Sequence, residues 1–363
     1  MAAFGWWWLS RPVPLLTRVS FSGLPGWNKA ALEPALAAFQ KSCTAIAKKP
    51  SGEALSAYAG TAGDWLAPCV QATGDARTFF EKNFTPYALS GDGLFTGYYE
   101  PEIRGSRTRH GAFQTPVYGL PSDLIRVDLG QFSPDFKGEH VSGRIDGQHL
   151  VPYATRAEID AKGVPTAKNL FWCDDPVALF FLQIQGSGRV RFDDGSMIRI
   201  GYAGENGRPY TAIGRVLVRT GKLAKDTVSL ATIRSWLKNN PTLAQGVMEA
   251  DQSFIFFEET AVGDPAEGPR GVERVALTPL GSMAIDLRKN ALGAPYYVDA
   301  DPLRALLVAQ DTGGAIRGQV RGDIFFGFGP EAEVRAGGMK AQGRLYVLLP
   351  NTVAERLGKS FSP

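Results

Sequence analysis

The stretch from Val275 to Pro350 constrains this chain most. Five apolar runs, VALTPLG (275–281), APYYVD (294–299), LRALLVAQDTG (303–313), DIFFGFG (323–329) and GRLYVLLP (343–350), follow one another closely between glycine and proline punctuation. Such runs read as short strands joined by tight turns, and strands this close in sequence dispose of their edges by closing into a small barrel. Composition agrees, because Gly 42 and Pro 24 make up about 18% of the 363 residues, against about 12% on average. Turns and strands are favoured over a helical bundle.

At roughly 100–200 residues per domain, the length suggests two domains, or one domain carrying a large insertion. With 44% hydrophobic and 21% charged residues, the chain can bury a sizeable core, and global disorder is excluded. A net charge of only +3, with no clustered Lys/Arg stripe, argues against nucleic acid as a partner. The longest uncharged run, Pro176 to Gly188, spans 13 residues, short of the roughly 20 that cross a bilayer. His110, His140 and His149 never fall at H-x-x-x-H spacing, and the three cysteines form no C-x-x-C pair, so no metal site is expected. GSGRVR lacks the third glycine of a dinucleotide fingerprint and no phosphate loop occurs, so no nucleotide cofactor is implied. Cys43 and Cys69 lie 26 residues apart, with Cys173 remote. One disulfide plus a free thiol and three buried thiols are both open. The opening MAAFGWWWLSRPVPLLTRVS has an apolar patch with no basic residue ahead of it, which makes a poor signal peptide.

The periodicity divides the chain into a helical opening and a β-rich body from Leu94 onward. Leu32, Leu36, Phe39, Cys43 and Ile46 lay an apolar stripe along one helix ending near Lys48 and Lys49. A second helix is expected in DARTFFEKNF, with Asp75 as cap, Phe79, Phe80 and Phe84 on the buried face, and Pro86 as the stop. Thr155-Arg156-Ala157-Glu158 is a capping box opening a short helix. Ser229 opens another, with Ile233, Trp236 and Leu237 on one face, and a helical turn through Val247 and Met248 follows. FFLQIQGSGRVRF reads as a strand pair around Gly186 to Gly188, and SFIFFEE as a further strand.

The chemistry concentrates in three carboxylates, Asp286, Asp311 and Asp323, each at a strand edge near glycines. Next to Ile324, Phe325 and Phe326, the Asp323 carboxyl loses hydration of its charged form and can stay protonated as a general acid; the plainer reading is solvated turn aspartates. Asp311-Thr312-Gly313 also looks like an aspartic-protease turn, but no equivalent second turn exists. In GYYEP, Tyr98 and Tyr99 offer planar faces suited to sugar rings, and in QIQGSG, Gln183 and Gln185 fall on one strand face beside the Ser187 hydroxyl. Taken singly, tyrosines more often fill cores and Gln-x-Gln more often sits on exposed strands.

Together and in order, GLFTGYYEPEIRGSRTRHGAFQTPVYGLP, TRAEID, FFLQIQGSGRVRF, IRIGYAGENGRPYTAIGRVL, MEADQSFIFFEE and DTGGAIRGQVRGDIFFGFG resemble the membrane-bound lytic transglycosylase A family over about residues 25 to 350. The part from about 275 to 350 is similar to the 3D module named for three aspartates, with Asp286, Asp311 and Asp323 at the matching positions. The resemblance implies a mainly β fold with a few helices. A double-psi β-barrel would be built from residues 1–102 and 246–363, a second β-barrel would be inserted at 103–245, and a groove between them would hold a peptidoglycan glycan strand. It implies cleavage of the β-1,4 bond between N-acetylmuramic acid and N-acetylglucosamine without water, leaving a 1,6-anhydro ring, with no cofactor. By the same resemblance Asp323 is the sole acid and base, Asp311 orients it or its surroundings, and Asp286 is structural. Thr96, Gly97, Tyr98, Tyr99, Gln183, Gln185, Gly186 and Ser187 would be groove residues matched by motif position. The family is exported to the cell envelope, periplasmic or outer-membrane associated, often through a lipidated cysteine, whereas the first cysteine here is Cys43, inside a predicted helix. Two rival functions are a wall-binding module without catalysis, and a water-using muramidase with Glu100 or Glu102 as second carboxylate.

Overall fold

The computed structural model describes residues 16–136, 138–260 and 267–360; the apolar stretch before Leu16 lies outside them. Two compact units are present. The first comprises residues up to Thr96, Gly271–Phe325 and from Met339 onward; the second comprises Gly97–Arg270 and Phe326–Gly338.

In the first unit the main sheet is built from the runs that the sequence marks. Strand Lys340–Pro350 pairs with Pro295–Ala300, which pairs in turn with Leu303–Asp311, Ser282–Ala284, Arg321–Phe328 and Gly93–Glu100. Gly93–Glu100 then pairs back onto Lys340–Pro350 through Thr96 and Lys340, so six strands form a near-closed barrel. Pro295–Val298 of this strand is buried on both faces, which explains its unbroken apolar run. VALTPLG, expected as a strand, is a turn-rich approach instead, and the short strand Ser282–Ala284 follows it. Leu280 has a positive φ of 54° there, a turn conformation that a regular strand excludes.

Helix Glu33–Ile46 packs its expected stripe, with Leu36, Phe39 and Ile46 buried, against strand Leu303–Asp311. Cys43 on this helix is disulfide-bonded to Cys69 on helix Ala62–Val70, with a Cα–Cα distance of 5.4 Å. That settles the cysteine alternatives, and Cys173 is buried and free. Asp75 caps helix Ala76–Asn83 by accepting from Thr78 N–H at 2.8 Å. The helix ends before Phe84, which starts strand Phe84–Leu89, and Pro86 sits inside that strand rather than stopping the helix. All three phenylalanines are nonetheless buried, around Phe39 and Trp65, each worth about 1.5–3 kcal/mol.

The second unit holds a six-stranded sheet in the order Ile255–Thr260, Met197–Glu205, Gly188–Phe192, Glu102–Ser106, Asn169–Cys173 and Thr115–Tyr118. An isolated bridge from Gly119 to Phe257 links its two edges. The capping box at Thr155 opens helix Arg156–Lys162, and Ser229 caps helix Leu230–Asn239, both as expected.

The strand pair expected in FFLQIQGSGRVRF is half right: Gly188–Phe192 is a strand, but the residues before Gly186 are not. Residues Pro176–Gln185 form an α-helix, not a strand. Asp175 accepts from the N–H groups of Val177 and Ala178 at 2.9 and 3.0 Å, Pro176 occupies the first turn, and Gly186 ends the helix at φ 80°. These are helix start and stop signals. The helix is apolar on two sides because Leu179 and Leu182 pack on the sheet core, while Val177, Phe180 and Phe181 pack against helices Ile213–Arg219, Leu230–Asn239 and Pro241–Glu249. A helix buried on two sides has no polar face to reveal its period.

Candidate active site

The short strand Ser282–Ala284 sets the positions of two of the three aspartates. Ala284 pairs with Asp323 on its antiparallel side and with Asp311 on its parallel side. The two aspartates therefore sit in one row across the sheet, their backbones two strand spacings, roughly 10 Å, apart.

Asp323 is half-buried. Its Oδ1 accepts from Thr96 Oγ1 at 2.6 Å, and Thr96 Oγ1 in turn accepts from Arg321 Nη2 at 2.9 Å. Arg321 lies two residues before Asp323 and so shares its face of the strand. Desolvation pushes the Asp323 carboxyl above the usual range of an aspartate; the Thr96 hydrogen bond and the Arg321 charge pull the other way without cancelling it. Burial also lowers Arg321, and the charge of Asp323 partly restores it. A carboxyl so held keeps its proton to higher pH than a solvated aspartate, and carries a hydrogen bond that steadies the carboxylate once the proton leaves.

Asp311 accepts from Val272 N–H at 3.1 Å. The side chain of Asp286 is buried and bonded to Arg288 and to Gly318 N–H at 2.9 Å. Burial raises its carboxyl, but the bonds from Arg288 and Gly318 outweigh that and hold it below the usual range. It ties down the loop that separates the strands bearing Asp311 and Asp323.

The remaining motif residues belong to the second unit, apart from Thr96. Gly97 is required by close packing, since a Cβ there would meet Phe326 at 2.6 Å and the Ala336 backbone at 2.8 Å. Tyr98 is half-buried. Tyr99 is buried with Ala332 and Ala336, and partly buried Leu230 and Phe326 pack against it; burial pushes its hydroxyl up to about 12. Gln183 and Gln185, two apart on a helix, do not share a face as they would on a strand. Gln183 is buried and accepts from Arg156 Nη1, while Gln185 Oε1 accepts from Tyr99 N–H at 3.1 Å. Gln183 and Gln185 thus spend their amide oxygens inside the unit as supports, and Tyr99 its ring and backbone N–H. Gly186 and Ser187 form the half-buried turn after the helix.

Sequence reasoning missed Arg321 and Arg156. The period of two around Asp323 would have found the first, while nothing local marks the second, which donates to Asp251 O and Ser253 O far along the chain. Glu100, the suggested second carboxylate, is buried between Arg189 and Arg199, with both Nε atoms at 2.9 Å. Glu102 pairs with Arg191 at 2.9 Å.

Residues 94–258 match the model of the MltA specific insert domain, and residues 281–349 match the 3D domain. A membrane-bound lytic murein transglycosylase from Agrobacterium tumefaciens superposes with a TM-score of 0.83 at 32% identity, covering 94% of this chain and 99% of that one. The chain belongs to the membrane-bound lytic murein transglycosylase A family. Its members are lyase-type enzymes named for their action on murein, the peptidoglycan of the cell wall. The Vibrio cholerae member is 33% identical over 271 residues, and the alignment spans 71% of this chain and 66% of that protein, just under two thirds of its length. The Escherichia coli member, solved with bound chitohexaose, has a TM-score of 0.66 at 26% identity and covers 94% of this chain and 93% of its own. Relatives are named membrane-bound, and among the described residues no helix is long and apolar enough to cross a membrane.

Proposed function

We propose that this chain cleaves the β-1,4 bond between N-acetylmuramic acid and N-acetylglucosamine in peptidoglycan without water. Asp323 serves as acid and then as base. Protonated Asp323 gives its proton to the glycosidic oxygen as the C1–O bond breaks; the resulting carboxylate then takes the proton from the muramoyl C6 hydroxyl as that oxygen bonds to C1. The products are a free 4-hydroxyl on one fragment and a 1,6-anhydro ring on the other, and Asp323 ends protonated as it began. One carboxyl suffices because the nucleophile is part of the substrate and is held near C1. Asp311, in the same row of the sheet, fixes the Val272 backbone beside it and has a positioning role. The half-buried turn Gly186–Ser187 is the motif segment that we assign to the glycan.

The observation that carries this reading is the Asp323 carboxyl, raised above the usual aspartate range by desolvation yet hydrogen-bonded by Thr96. The chitohexaose bound by the Escherichia coli relative supports a glycan strand as ligand. A muramidase needs a second free carboxylate to activate water or bond to the sugar, and Glu100 is clamped by two arginines while Glu102 is paired. We infer a cell-envelope location, which the Cys43–Cys69 disulfide supports, since such bonds persist in oxidising compartments. Mass spectrometry of fragments released from purified peptidoglycan tests the reaction. Wild type should release muropeptides one water lighter than hydrolysis products, and Asp323→Asn should release none; ordinary reducing ends, or anhydro products from the variant, would overturn it.

A further inference from the structure

The second unit carries an open surface pocket of about 320 Å³ that no residue of the proposed catalytic machinery lines. Its walls include Pro116, Tyr118, Asn169 and Trp172, with Lys162 and Pro165 at the rim. The volume is at the small end of ligand sites, which run from about 300 to 1,000 Å³, and suits a single sugar ring.

The pocket is a product of strand register. Pro116 pairs with Trp172, and Val117 pairs with Phe171, both buried in the sheet core. A regular strand would next pair Tyr118 with Leu170 and turn Asn169 inward with Phe171. Instead the register shifts after Val117, and Tyr118 pairs with Asn169. The bulge at Leu170 brings Asn169 onto the outer face with Trp172, Pro116 and Tyr118. Bulges re-aim side chains in this way beside functional sites. The re-aimed amide is unsatisfied: Asn169 Oδ1 is buried and has no hydrogen-bond partner among the described residues. An orphaned buried acceptor beside two aromatic rings asks for a ligand that brings both an apolar face and an N–H donor.

We propose that this pocket binds one N-acetylated hexosamine of a glycan strand. The ring face lies on Tyr118 and on the face of Trp172 that the Arg109 guanidinium, 5.1 Å from the ring centroid, leaves open; the Asn169 amide rotates outward to accept from the acetamido N–H, and Lys162 pairs with a carboxylate substituent on the sugar. The choice of an amino-sugar strand rests on the peptidoglycan reading above. The pocket gives the enzyme a second hold on the wall, independent of the bond being cut.

Calorimetric titration of the Asp323→Asn protein, which should leave strands intact, with peptide-free glycan strands and with chitohexaose tests the assignment. Trp172→Ala should weaken strand binding at least tenfold, and Trp172→Phe should recover most of it. Lys162→Ala, at an exposed rim position, should weaken strands that carry carboxylates while sparing chitohexaose. Wild-type affinity in both Trp172→Ala and Asn169→Ala, with melting temperatures unchanged, overturns the site. If Trp172→Ala does not fold, Lys162→Ala binding both ligands as the parent does overturns it. Binding only when stem peptides remain attached replaces the glycan with a peptide and also overturns it. Water-added products from the wild type would instead overturn the catalytic reading and leave the pocket standing.

Discussion

At Asp323, burial raises the carboxyl while Thr96 and Arg321 both lower it, and the balance predicts a pH dependence. The Thr96 bond stabilises the carboxylate, so Thr96→Val removes a force that lowers the pKa and leaves desolvation less opposed. The alkaline limb of the kcat/KM profile should move to higher pH, because the acid form survives further. The maximal rate should fall, because a carboxyl with a raised pKa is a weaker acid toward the glycosidic oxygen and its carboxylate, once formed, is less stabilised. An unshifted limb would separate Thr96 from the titrating group. Asp323→Asn should cost at least the 10²–10⁴-fold typical of a general acid or base, since one residue plays both parts. Much of this was legible in the sequence, since a carboxyl flanked by Ile324, Phe325 and Phe326 announces desolvation. Its connection to Thr96, 227 positions away, was not. That pairing depends on barrel closure, which local pattern does not encode.

At the scale of elements, helix Glu33–Ile46 meets the barrel through a buried polar tie as well as an apolar stripe. Ser42 Oγ donates to Glu273 Oε2 at 2.6 Å, and Gln310 Nε2 donates to Ser42 Oγ at 2.9 Å and to Ala38 O at 2.8 Å. Burial pushes Glu273 up from 4.5 to about 7, against the Ser42 bond and Lys49. Below about pH 4.5 the group is protonated folded or unfolded, and its full contribution is present. As pH rises toward 7 the unfolded chain ionises first, so stability declines across that window and the contribution is gone above it. The swing is about 3 kcal/mol at most. Glu273→Gln, which keeps an acceptor for Ser42, should flatten this slope and be the more stable protein above pH 7. Urea denaturation of both proteins between pH 4 and 8 measures the difference, and parallel curves would remove Glu273 as the cause. The same scale shows where sequence reading failed. For Pro176–Gln185 the caps at Asp175 and Gly186 were written in the chain, but a helix covered on two sides loses the alternation on which period detection relies. Glutamines assigned to one strand face became supports on a helix, Gln183 buried and Gln185 half-buried.

For the whole molecule, the strongest signals were spacings that topology requires: strand runs at glycine turns for the barrel, and a capping box and serine cap for helices of the second unit. Cysteine spacing left two outcomes open because a 26-residue separation says nothing of approach; only the packing of helices Glu33–Ile46 and Ala62–Val70 brings Cys43 and Cys69 together. The bond closes a loop of 26 residues, and restricting the unfolded chain over that span is worth about 3–4 kcal/mol. Its partner tie, Glu273 with Ser42, lies one residue from Cys43, so the two act on the same helix. Reduction should therefore loosen the N-terminal helices from the barrel, lowering the melting temperature and making the stability curve shallower near pH 5–7 as Glu273 gains access to water. Cys173 offers an internal control. Burial pushes its thiol up to about 12 and shields it from reagents, so alkylation without reductant should label nothing in the native protein and one thiol after denaturation. With reductant under native conditions, labelling of Cys43 and Cys69 should precede that of Cys173. Simultaneous labelling of all three would mean that the disulfide holds the entire fold and not one layer of helices.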